Sequence, residues 1–253
     1  MSGDGEVTKA AILAAGAGTR LRPLTVEIPK VLLPVGGMPL ICHTLNWVRR
    51  HGIQRVAVNL HHRADRVREF LGDGSRFGVE ILFSPEERLM GTAGAIRRME
   101  HFFDGSLVVV YGDVLTNFDL GAMVRFHRRG DALATLALVE TSRPWEVGVV
   151  QVTEDGRVVD FVEKPRKGTV VTALANGGVY VLEREILDWI PEGVACDFGH
   201  EVFPRLIQAG KRLCGYHIPS DAYLIDIGTP GNYLLANRDV AAGRLSWPSQ
   251  AGM

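Results

Sequence analysis

Two basic side chains close to a glycine-rich loop are the residues of this sequence best suited to chemistry on phosphate. The loop spans residues 13–23 and reads LAAGAGTRLRP; Arg20 lies inside it, and Lys30 follows shortly after. Arginine offers a planar fork for phosphate oxygens, whereas lysine offers a mobile point charge. Glycine lets the backbone approach a ligand closely, so backbone N–H groups can point at a phosphate chain. The loop therefore predicts a site for a phosphorylated ligand.

Two aspartates that follow apolar runs are the candidates for holding a cation. Asp113 comes directly after Gly112 and the run LVVVY at 107–111, and Asp226 follows a shorter apolar stretch. In open α/β sheets ligands collect at the carboxyl ends of the strands, so a carboxylate just past a buried strand is well placed to bind a cation. Taken alone, Asp113 also fits a residue that only stabilises a turn.

The glycine pattern of the loop matches neither of two common phosphate-binding motifs. A P-loop requires Gly-x-x-x-x-Gly-Lys-Ser/Thr, and no lysine follows Gly18. The dinucleotide-binding pattern requires a third glycine three residues after the second, where Leu21 stands. On its glycines alone, the loop is as consistent with a plain strand-to-helix turn as with a ligand site.

The longer string around the loop resembles a known family. Residues 13–25 read Leu-Ala-Ala-Gly-x-Gly-Thr-Arg-Leu-x-Pro-Leu-Thr, and residues 29–35 read Pro-Lys-x-Leu-x-Pro-Val. Together they resemble the signature of the sugar-1-phosphate nucleotidyltransferases. Further segments are similar to the same family: the glutamate and Gly-Thr-Ala-Gly-Ala string of 86–95, Gly-Asp at 112–113, Val-Gly-Val-Val at 147–150, Glu-Lys-Pro at 163–165, Asn-Gly-Gly-Val-Tyr at 176–180 and Asp-Ile-Gly-Thr-Pro at 226–230.

The resemblance implies a role for each matching residue. It implies that Arg20 holds the leaving pyrophosphate, Lys30 the transferred phosphoryl group and Lys164 the sugar phosphate. It also implies one Mg²⁺ held by Asp113 and Asp226. The nucleotide-binding residues it implies are Leu13, Ala14, Ala15, Gly16, Gly18, Thr19, Arg20, Glu86, Gly91, Thr92 and Gly112. The sugar-phosphate-binding residues it implies are Gly148, Glu163, Lys164 and Asn176, with the glutamate accepting hydrogen bonds from sugar hydroxyl groups.

The implied reaction is attack of a sugar-1-phosphate oxygen on the α-phosphorus of a nucleoside triphosphate, which forms an NDP-sugar and releases pyrophosphate. The nucleophile is already an anion at neutral pH, so no general base is needed. The difficulty is repulsion, because two like unit charges about 4 Å apart repel by roughly 4 kcal/mol at an effective dielectric constant of 20. We therefore expect catalysis by positioning and charge neutralisation, to which Mg²⁺ on two carboxylates is suited.

The choice of base follows from hydrogen-bonding chemistry. Guanine presents N1–H and N2–H₂ as donors, and a carboxylate, which only accepts, pairs with them better than with the mixed edge of uracil or thymine. Glu86 or Glu87 could serve, and the string around them resembles guanylyltransferases for mannose or heptose 1-phosphate. We expect GTP as the favoured substrate. The alternative is uridylyl or thymidylyl transfer to a sugar or amino-sugar 1-phosphate.

Two other classes of protein share parts of this pattern. A non-catalytic regulatory subunit would bind an NDP-sugar, but such paralogues usually lose a catalytic arginine, lysine or aspartate, and this sequence keeps them all. A cytidylyl- or molybdopterin-type nucleotide transferase uses a similar sheet, but the Glu-Lys-Pro and Gly-Thr-Pro segments disfavour it. An enzyme of the sugar-1-phosphate nucleotidyltransferase class is therefore the leading interpretation.

The bulk composition indicates an ordinary globular protein. Of 253 residues, 46% are hydrophobic and 23% charged, and the formal net charge of −1 gives no general attraction to nucleic acid or an anionic membrane. No apolar run has transmembrane length, the start lacks the form of a signal peptide, and three scattered cysteines suggest reduced thiols. We expect a cytoplasmic protein without nucleic-acid or membrane partners, which binds an NTP and a sugar 1-phosphate and can form a homodimer.

The alternation of strand and helix patterns predicts an α/β fold. Up to about residue 140 the order is typical of a Rossmann-like, mostly parallel sheet with helices on both faces. Strand patterns without crossover helices, and the hairpin signal Asp155-Gly156, then predict a small antiparallel sugar-binding insert. We expect one nucleotidyltransferase domain over residues 1–245, with the nucleotide-binding part at about 8–140, the insert at about 145–182, a closing segment at about 183–245 and a tail at 246–253. We also expect no C-terminal β-helix of the kind that many members of the family carry.

Three local predictions concern helices. Thr92 is expected to cap a helix that runs to about Met99, because a threonine hydroxyl can accept from the first free N–H groups of a helix. Residues 183–190 and 197–209 are each expected to form a helix, the second of which ends at Gly210.

Overall fold

The computed structural model describes residues 7–170 and 172–245, so the predicted tail at 246–253 lies outside the described residues. The strands in this part of the chain are β1 (Lys9–Leu13), β2 (Pro34–Val35), β3 (Met38–Pro39), β4 (Arg55–Leu60), β5 (Glu80–Pro85), β6 (Leu107–Tyr111), β7 (Val114–Thr116), β8 (Ala134–Glu140), β9 (Gly148–Val152), β10 (Val158–Glu163), β11 (Leu174–Leu182), β12 (Leu213–His217) and β13 (Leu224–Asp226). The α-helices are α1 (Leu24–Glu27), α2 (Leu40–Arg50), α3 (Ala64–Leu71), α4 (Gly91–Arg98), α5 (Leu120–Gly130), α6 (Phe203–Gln208) and α7 (Pro230–Ala241).

The first half of the main sheet is parallel. β5, β4, β1 and β6 lie side by side in that order, and each neighbouring pair is parallel. The register places Leu13 of β1 beside Asn59 of β4 and Tyr111 of β6. Because the carboxyl ends of parallel strands meet at one edge of the sheet, the loops that follow β1, β4 and β6 converge there.

The second half of the same sheet is mainly antiparallel. β11 hydrogen-bonds along its length to β8 on one side, and on the other side to β9 near its start and to β6 near its end. β10 forms a hairpin with β9, and β12 runs parallel to β8 at the far edge. The predicted α/β class, the mostly parallel core and the antiparallel segment are thus confirmed. The segment continues the central sheet, because β11 shares a ladder with β6.

Side chains of the central strands alternate between two hydrophobic cores. Ala10 and Ile12 of β1 face the core formed with α2, α3 and α5, whereas Ala11 between them faces the core formed with α4 and α6. This period of two is what a strand buried on both faces requires. Helices therefore cover both faces of the sheet, as predicted. A third, smaller cluster joins Leu115 of β7 to Ala236 of α7.

The local helix predictions need correction. Residues Arg184–Trp189 form a 3-10 helix, with the Ile186 amide donating to the Glu183 carbonyl, in a short segment that Pro191 limits. The predicted helix at 197–209 is a π-helix over Phe198–Val202 that continues as α6. Thr92 does not cap α4, because its hydroxyl bonds to another segment as described below.

Two further features bear on the environment of the chain. Cys42, Cys196 and Cys214 are buried free thiols. Among the helices of residues 7–170 and 172–245, none is both long enough and apolar enough to span a bilayer.

Candidate active site

Two adjoining cavities open at the edge of the sheet where β1, β4 and β6 end. The first, of about 230 Å³, is lined by Leu13, Ala14, Ala15, Gly16, Lys30, Val31, Asn59, Glu86, Leu89, Gly91, Thr92, Tyr111, Gly112, Asp113 and Asp197. The second, of about 430 Å³, adjoins the antiparallel half of the sheet, and the predicted residues that line it include Arg20, Gly148, Glu163, Lys164, Asn176 and Asp226. Both cavities are lined by Thr92, Tyr111, Asp113 and Asp197.

Close backbone contacts shape the glycine-rich loop. The amide of Gly112 donates to the carbonyl of Leu13 at 2.9 Å, and a Cβ on Gly112 would lie 2.5 Å from that oxygen. Gly18 has a φ of +62°, and its carbonyl accepts from the Thr25 hydroxyl at 2.8 Å. Glycine at position 112 thus lets the end of β6 approach β1 at the wall of the first cavity, and glycine at position 18 allows the turn that carries Arg20.

A buried glutamate forms one wall of the first cavity. Glu86 is 5% exposed, and its Oε1 accepts from Asn59 Nδ2 at 2.8 Å while its Oε2 accepts from the Met90 amide at 3.0 Å. Asn59 Oδ1 in turn accepts from the Ala14 amide at 2.6 Å. These bonds fix the carboxylate in the cavity wall, and each oxygen keeps a lone pair for a further donor. Glu87 is exposed and lies outside both cavities.

The first turn of α4 is joined to the loop before the π-helix. Gly91 has a φ of +71°, and a Cβ there would lie 2.4 Å from the Cys196 carbonyl oxygen. The Thr92 hydroxyl donates to Asp197 Oδ2 at 2.9 Å and accepts from the Phe198 amide at 2.9 Å. Both hydrogen bonds of the Thr92 hydroxyl therefore connect α4 to the segment at Asp197 and Phe198, which explains why Thr92 does not cap its own helix.

The two predicted metal ligands come together where the cavities adjoin. Asp226, the last residue of β13, pairs with Val114 next to Asp113, and the Ile227 amide donates to the Asp113 carbonyl at 2.9 Å. Partial burial, and then the neighbouring Asp113 carboxylate, raise the pKa of Asp226 to about 6. Two carboxylates that repel each other in this way fit a divalent cation.

The donor set is small for a metal site. Among the described residues, no group of three or more His, Cys, Asp or Glu side chains is arranged to hold a metal ion. This suits Mg²⁺, which is usually bound by one or two carboxylates together with substrate oxygens and water. It does not suit a structural zinc site, which would need a full set of four protein ligands.

Basic side chains lie next to both carboxylates. Lys30 Nζ forms an ion pair with Asp113 Oδ2, and both side chains are largely buried. Arg20 Nη2 lies 4.0 Å from Asp226 Oδ2, with the arginine side chain 59% exposed. Gly228 makes this approach possible, because a Cβ there would lie 2.6 Å from Arg20 Nη2. The Gly228 amide also donates to Asp226 Oδ1 at 2.5 Å.

The second cavity contains a glutamate held between two glycines. An added Cβ would lie 2.6 Å from Glu163 Oε2 at Gly148 and 3.0 Å from it at Gly199. Burial raises the pKa of Glu163, while the positive charge of Lys164 acts in the opposite direction. Lys164 Nζ lies 3.7 Å from Glu163 Oε1, and the lysine has an unusual φ of +46°. A non-glycine residue in this conformation often marks a functional position.

Asn176 is oriented by a buried hydrogen-bond network. Its Nδ2 donates to the Tyr180 hydroxyl at 2.7 Å, and its Oδ1 accepts from the Gly178 amide at 3.1 Å. The Tyr180 hydroxyl donates to the Tyr111 hydroxyl at 3.1 Å. Tyr111 borders both cavities, so the network runs from one to the other.

Most residues predicted for the site line one cavity or the other. The exceptions are Gly18 and Thr19, which line neither and instead belong to the turn that carries Arg20. Sequence reasoning missed Asn59, Tyr111, Asp197, Gly199 and His200. Asn59 had a usable signal, because it is a polar residue near the carboxyl end of a buried strand, as Asp113 is. No sequence signal pointed to Asp197, because this residue lies at the start of a π-helix, which the sequence did not predict.

Residues 9–243 match the model of the nucleotidyl transferase family. The chain belongs to this family. A UTP–glucose-1-phosphate uridylyltransferase of Synechocystis sp. is 36% identical over 248 residues, which cover 92% of this chain and 63% of the relative. A mannose-1-phosphate guanylyltransferase of Mycobacterium tuberculosis is 36% identical over 245 residues, which cover 96% of this chain and 67% of the relative. The chain thus spans about two thirds of the length of these curated relatives.

Solved structures superpose over nearly the whole chain. A Bacillus anthracis protein assigned as a glucose-1-phosphate thymidylyltransferase, in complex with sucrose, has a TM-score of 0.83 and 25% identity over 97% of each chain. HddC from Yersinia pseudotuberculosis in complex with GMP-PN has a TM-score of 0.78 and 25% identity, over 92% of this chain and all of that one. The similarity therefore includes both halves of the sheet.

Proposed function

We propose that this chain transfers a nucleotidyl group from a nucleoside triphosphate to a sugar 1-phosphate, giving an NDP-sugar and pyrophosphate. The observation that carries the proposal is the position of the carboxylate pair: Asp113 borders both cavities, and Asp226 lies beside it. Two substrates bound in adjoining cavities would meet at these carboxylates. The relatives named for such reactions support the same conclusion.

The side chains around the junction fit the charges of the two substrates. In this proposal Arg20 and Lys30 bind the phosphates of the triphosphate, and Lys164 binds the phosphate of the sugar. Glu163 accepts hydrogen bonds from sugar hydroxyl groups, since its carboxylate lines the second cavity next to Gly148 and Gly199. The attacking phosphate oxygen is already anionic, so positioning and charge neutralisation are the tasks left to the protein.

Mg²⁺ is the proposed cofactor, with Asp113 and Asp226 as its protein ligands. The site supports this assignment, because Asp226 lies beside Asp113, and burial and then the Asp113 charge raise the pKa of Asp226. When bound, Mg²⁺ would neutralise charge on the substrate oxygens and polarise the phosphorus.

GTP is the proposed nucleotide. Glu86 supports this choice, because it offers a fixed, acceptor-only carboxylate in the wall of the first cavity, and guanine presents two donors on one edge. The guanylyltransferase names among the relatives agree with it. The second candidate is UTP, favoured by the uridylyltransferase that is equally similar. Mannose or heptose 1-phosphate is the proposed sugar substrate with GTP, and glucose 1-phosphate with UTP.

The test is pyrophosphate release with Mg²⁺ across a matrix of GTP, UTP, dTTP, CTP and ATP against mannose, heptose, glucose and N-acetylhexosamine 1-phosphates. The proposal expects one nucleotide to dominate, with GTP giving the strongest rate. Turnover with UTP or dTTP instead would refute the assignment of guanine as the base but would support the proposed type of reaction. If no pair turns over but calorimetry detects NDP-sugar binding, the chain is a regulatory subunit and the proposed reaction is wrong.

A further inference from the structure

The two carboxylates at the cavity junction already have positive side chains beside them. Lys30 Nζ contacts Asp113 Oδ2, with the two side chains only 14% and 17% exposed, and Arg20 Nη2 lies 4.0 Å from Asp226 Oδ2. These are the same two cations that the proposed function assigns to the nucleotide phosphates. Each proposed metal ligand therefore has a cation of the protein itself beside it.

The local structure allows Lys30 to change partners without a change of fold. Its backbone is fixed in a short 3-10 helix, Lys30–Leu32, by bonds from the Leu32 amide to the Pro29 carbonyl and from the Leu33 amide to the Lys30 carbonyl. The side chain is a flexible four-carbon stem that carries a compact charge. Because Lys30 also lines the first cavity, its ammonium group can move from Asp113 to a bound phosphate.

A divalent cation and the Lys30 ammonium compete for the same carboxylate. Like charges a few ångströms apart repel each other more strongly in a partly buried site than in water, because the effective dielectric constant is lower there. The Lys30–Asp113 pair must therefore weaken cation binding to the nucleotide-free protein. A bound phosphate that draws the Lys30 ammonium group away from Asp113 would remove this competition and raise the affinity for the cation. Linkage then requires the bound cation to raise the affinity for the phosphate by the same factor.

We propose that Lys30, with Arg20 as a second contributor, is a resident counter-ion that occupies the metal site until nucleotide phosphate withdraws it. The protein would bind a divalent cation weakly alone and tightly once nucleotide is present. The inference rests on the proposed function, because a phosphorylated substrate is what displaces the lysine. It adds to that function an order of binding, in which the metal site forms only together with the nucleotide.

The test measures binding of Mn²⁺ alone to the nucleotide-free full chain, by the electron paramagnetic resonance signal of free Mn²⁺. We expect Lys30→Met to tighten Mn²⁺ binding by about tenfold, since it removes one charge from the carboxylate pair. Lys30→Arg keeps the charge and should bind as weakly as the wild type. The matched control is Lys164→Met, which loses the same charge from the second cavity but pairs with Glu163 and not with Asp113. It should change Mn²⁺ affinity by less than about twofold.

Adding Asp113→Asn to Lys30→Met should abolish the gain, which would locate the bound Mn²⁺ at this carboxylate. Lys30→Gln serves as a second neutral variant, and thermal unfolding verifies that each variant is folded. Equal Mn²⁺ affinities for the Lys30→Met and Lys164→Met proteins would overturn the inference. The Mn²⁺ measurement does not depend on turnover. If the enzyme is active but Lys30→Met does not change Mn²⁺ affinity, the counter-ion role alone is contradicted. If Lys30→Met tightens Mn²⁺ binding but no pair of substrates releases pyrophosphate, the proposed reaction alone is contradicted.

Discussion

At the scale of single residues, Asp113 and Asp226 are the carboxylates that meet where the two cavities adjoin. They reach the cavity junction from distant parts of the chain, one after β6 and the other at the end of β13. We expect Asp113→Asn and Asp226→Asn each to lower kcat for pyrophosphate release by about a hundredfold or more, because each removes a metal ligand.

The same substitutions should leave the fold intact. Asp226→Asn removes a charge that burial, and then the Asp113 carboxylate, disfavour, while the amide oxygen can still accept from the Gly228 amide. Its melting temperature without metal should therefore equal or exceed that of the wild type, as thermal unfolding by circular dichroism would show. A large fall in melting temperature, or near-normal turnover, would contradict this account of the site.

Lys164 is expected to act on the sugar phosphate and not on the triphosphate. Its side chain is 62% exposed and pairs with Glu163 in the second cavity. We predict that Lys164→Met raises KM for the sugar 1-phosphate by about tenfold and KM for the nucleotide by less than about twofold, measured by initial rates. Lys167→Met, a neighbouring lysine over the Trp145 ring, is the matched control and should change neither constant. Equal increases in both KM values for Lys164→Met would refute the assignment.

Glu86 is expected to set the choice of base. Glu86→Gln replaces one acceptor oxygen by a donor N–H₂ group, which would oppose the donors of guanine or disturb the bond from Asn59. We predict that the ratio of kcat/KM for GTP to that for UTP falls by about tenfold or more. Glu87→Gln is the control, because Glu87 is exposed and lies outside both cavities. An unchanged ratio in the Glu86 variant would mean that another group selects the base.

At the scale of elements, β11 connects the two cavities through its buried tyrosine. Tyr180 is fully buried and packs edge-on against Tyr111 and Phe203, while its hydroxyl joins Asn176 to Tyr111. Tyr180→Phe keeps the ring and removes only this hydroxyl, so the Asn176 amide loses one of its two orienting bonds and keeps the one from the Gly178 amide. We predict that KM for the sugar 1-phosphate rises by about fivefold, in line with one lost hydrogen bond, while kcat and KM for the nucleotide stay within about twofold.

The control for this prediction is Tyr216→Phe, which removes a tyrosine hydroxyl from a ring that packs against Phe118 and Phe126. It should alter neither KM value. If the Tyr180 and Tyr216 variants behave alike, the hydrogen-bond network does not orient a substrate group.

The elements that carry the site were largely predictable, because their signals are local. Apolar runs of four to six residues followed by glycine or a carboxylate predicted β1 and β6, and the alternation of strands and helices predicted the parallel half of the sheet. The pairing of β11 with β6 could not be predicted, because strand patterns do not specify a long-range neighbour. The π-helix that positions Asp197 was also missed, because its extra residue per turn leaves no distinct pattern in the sequence.

At the scale of the whole molecule, a buried histidine ties α5 to the end of β11. His127 bonds to the Thr135 hydroxyl through Nδ1 and to Glu183 Oε1 through Nε2, and the Ser106 hydroxyl donates to the same oxygen. The bond from His127, and then that from Ser106, lower the pKa of Glu183, with a smaller contribution from the charge of Arg128. Burial acts in the opposite direction.

This lowered pKa makes part of the stability dependent on pH. The unfolded chain binds a proton at Glu183 at a higher pH than the folded chain does, so stability rises with pH in the interval between the two values. The contribution is present above the ordinary carboxyl pKa and is lost as the pH falls through the lowered one. Glu183→Gln should flatten this part of the curve in urea unfolding at a series of acidic pH values. Glu185→Gln, an exposed neighbour, should leave it unchanged.

The change of strand direction at the centre of the sheet has a consequence for how this architecture diversifies. β6 and β11 meet through four residue pairs, from Leu107 with Leu182 to Val110 with Val179. The proposed base-reading group lies on the parallel side of this ladder, and the proposed sugar-binding groups lie on the antiparallel side. Loops on one side of the ladder can therefore change in sequence, or be exchanged between paralogues, without a change in the structure of the other side. New pairings of nucleotide and sugar can arise in such a protein by recombination of two inherited specificities.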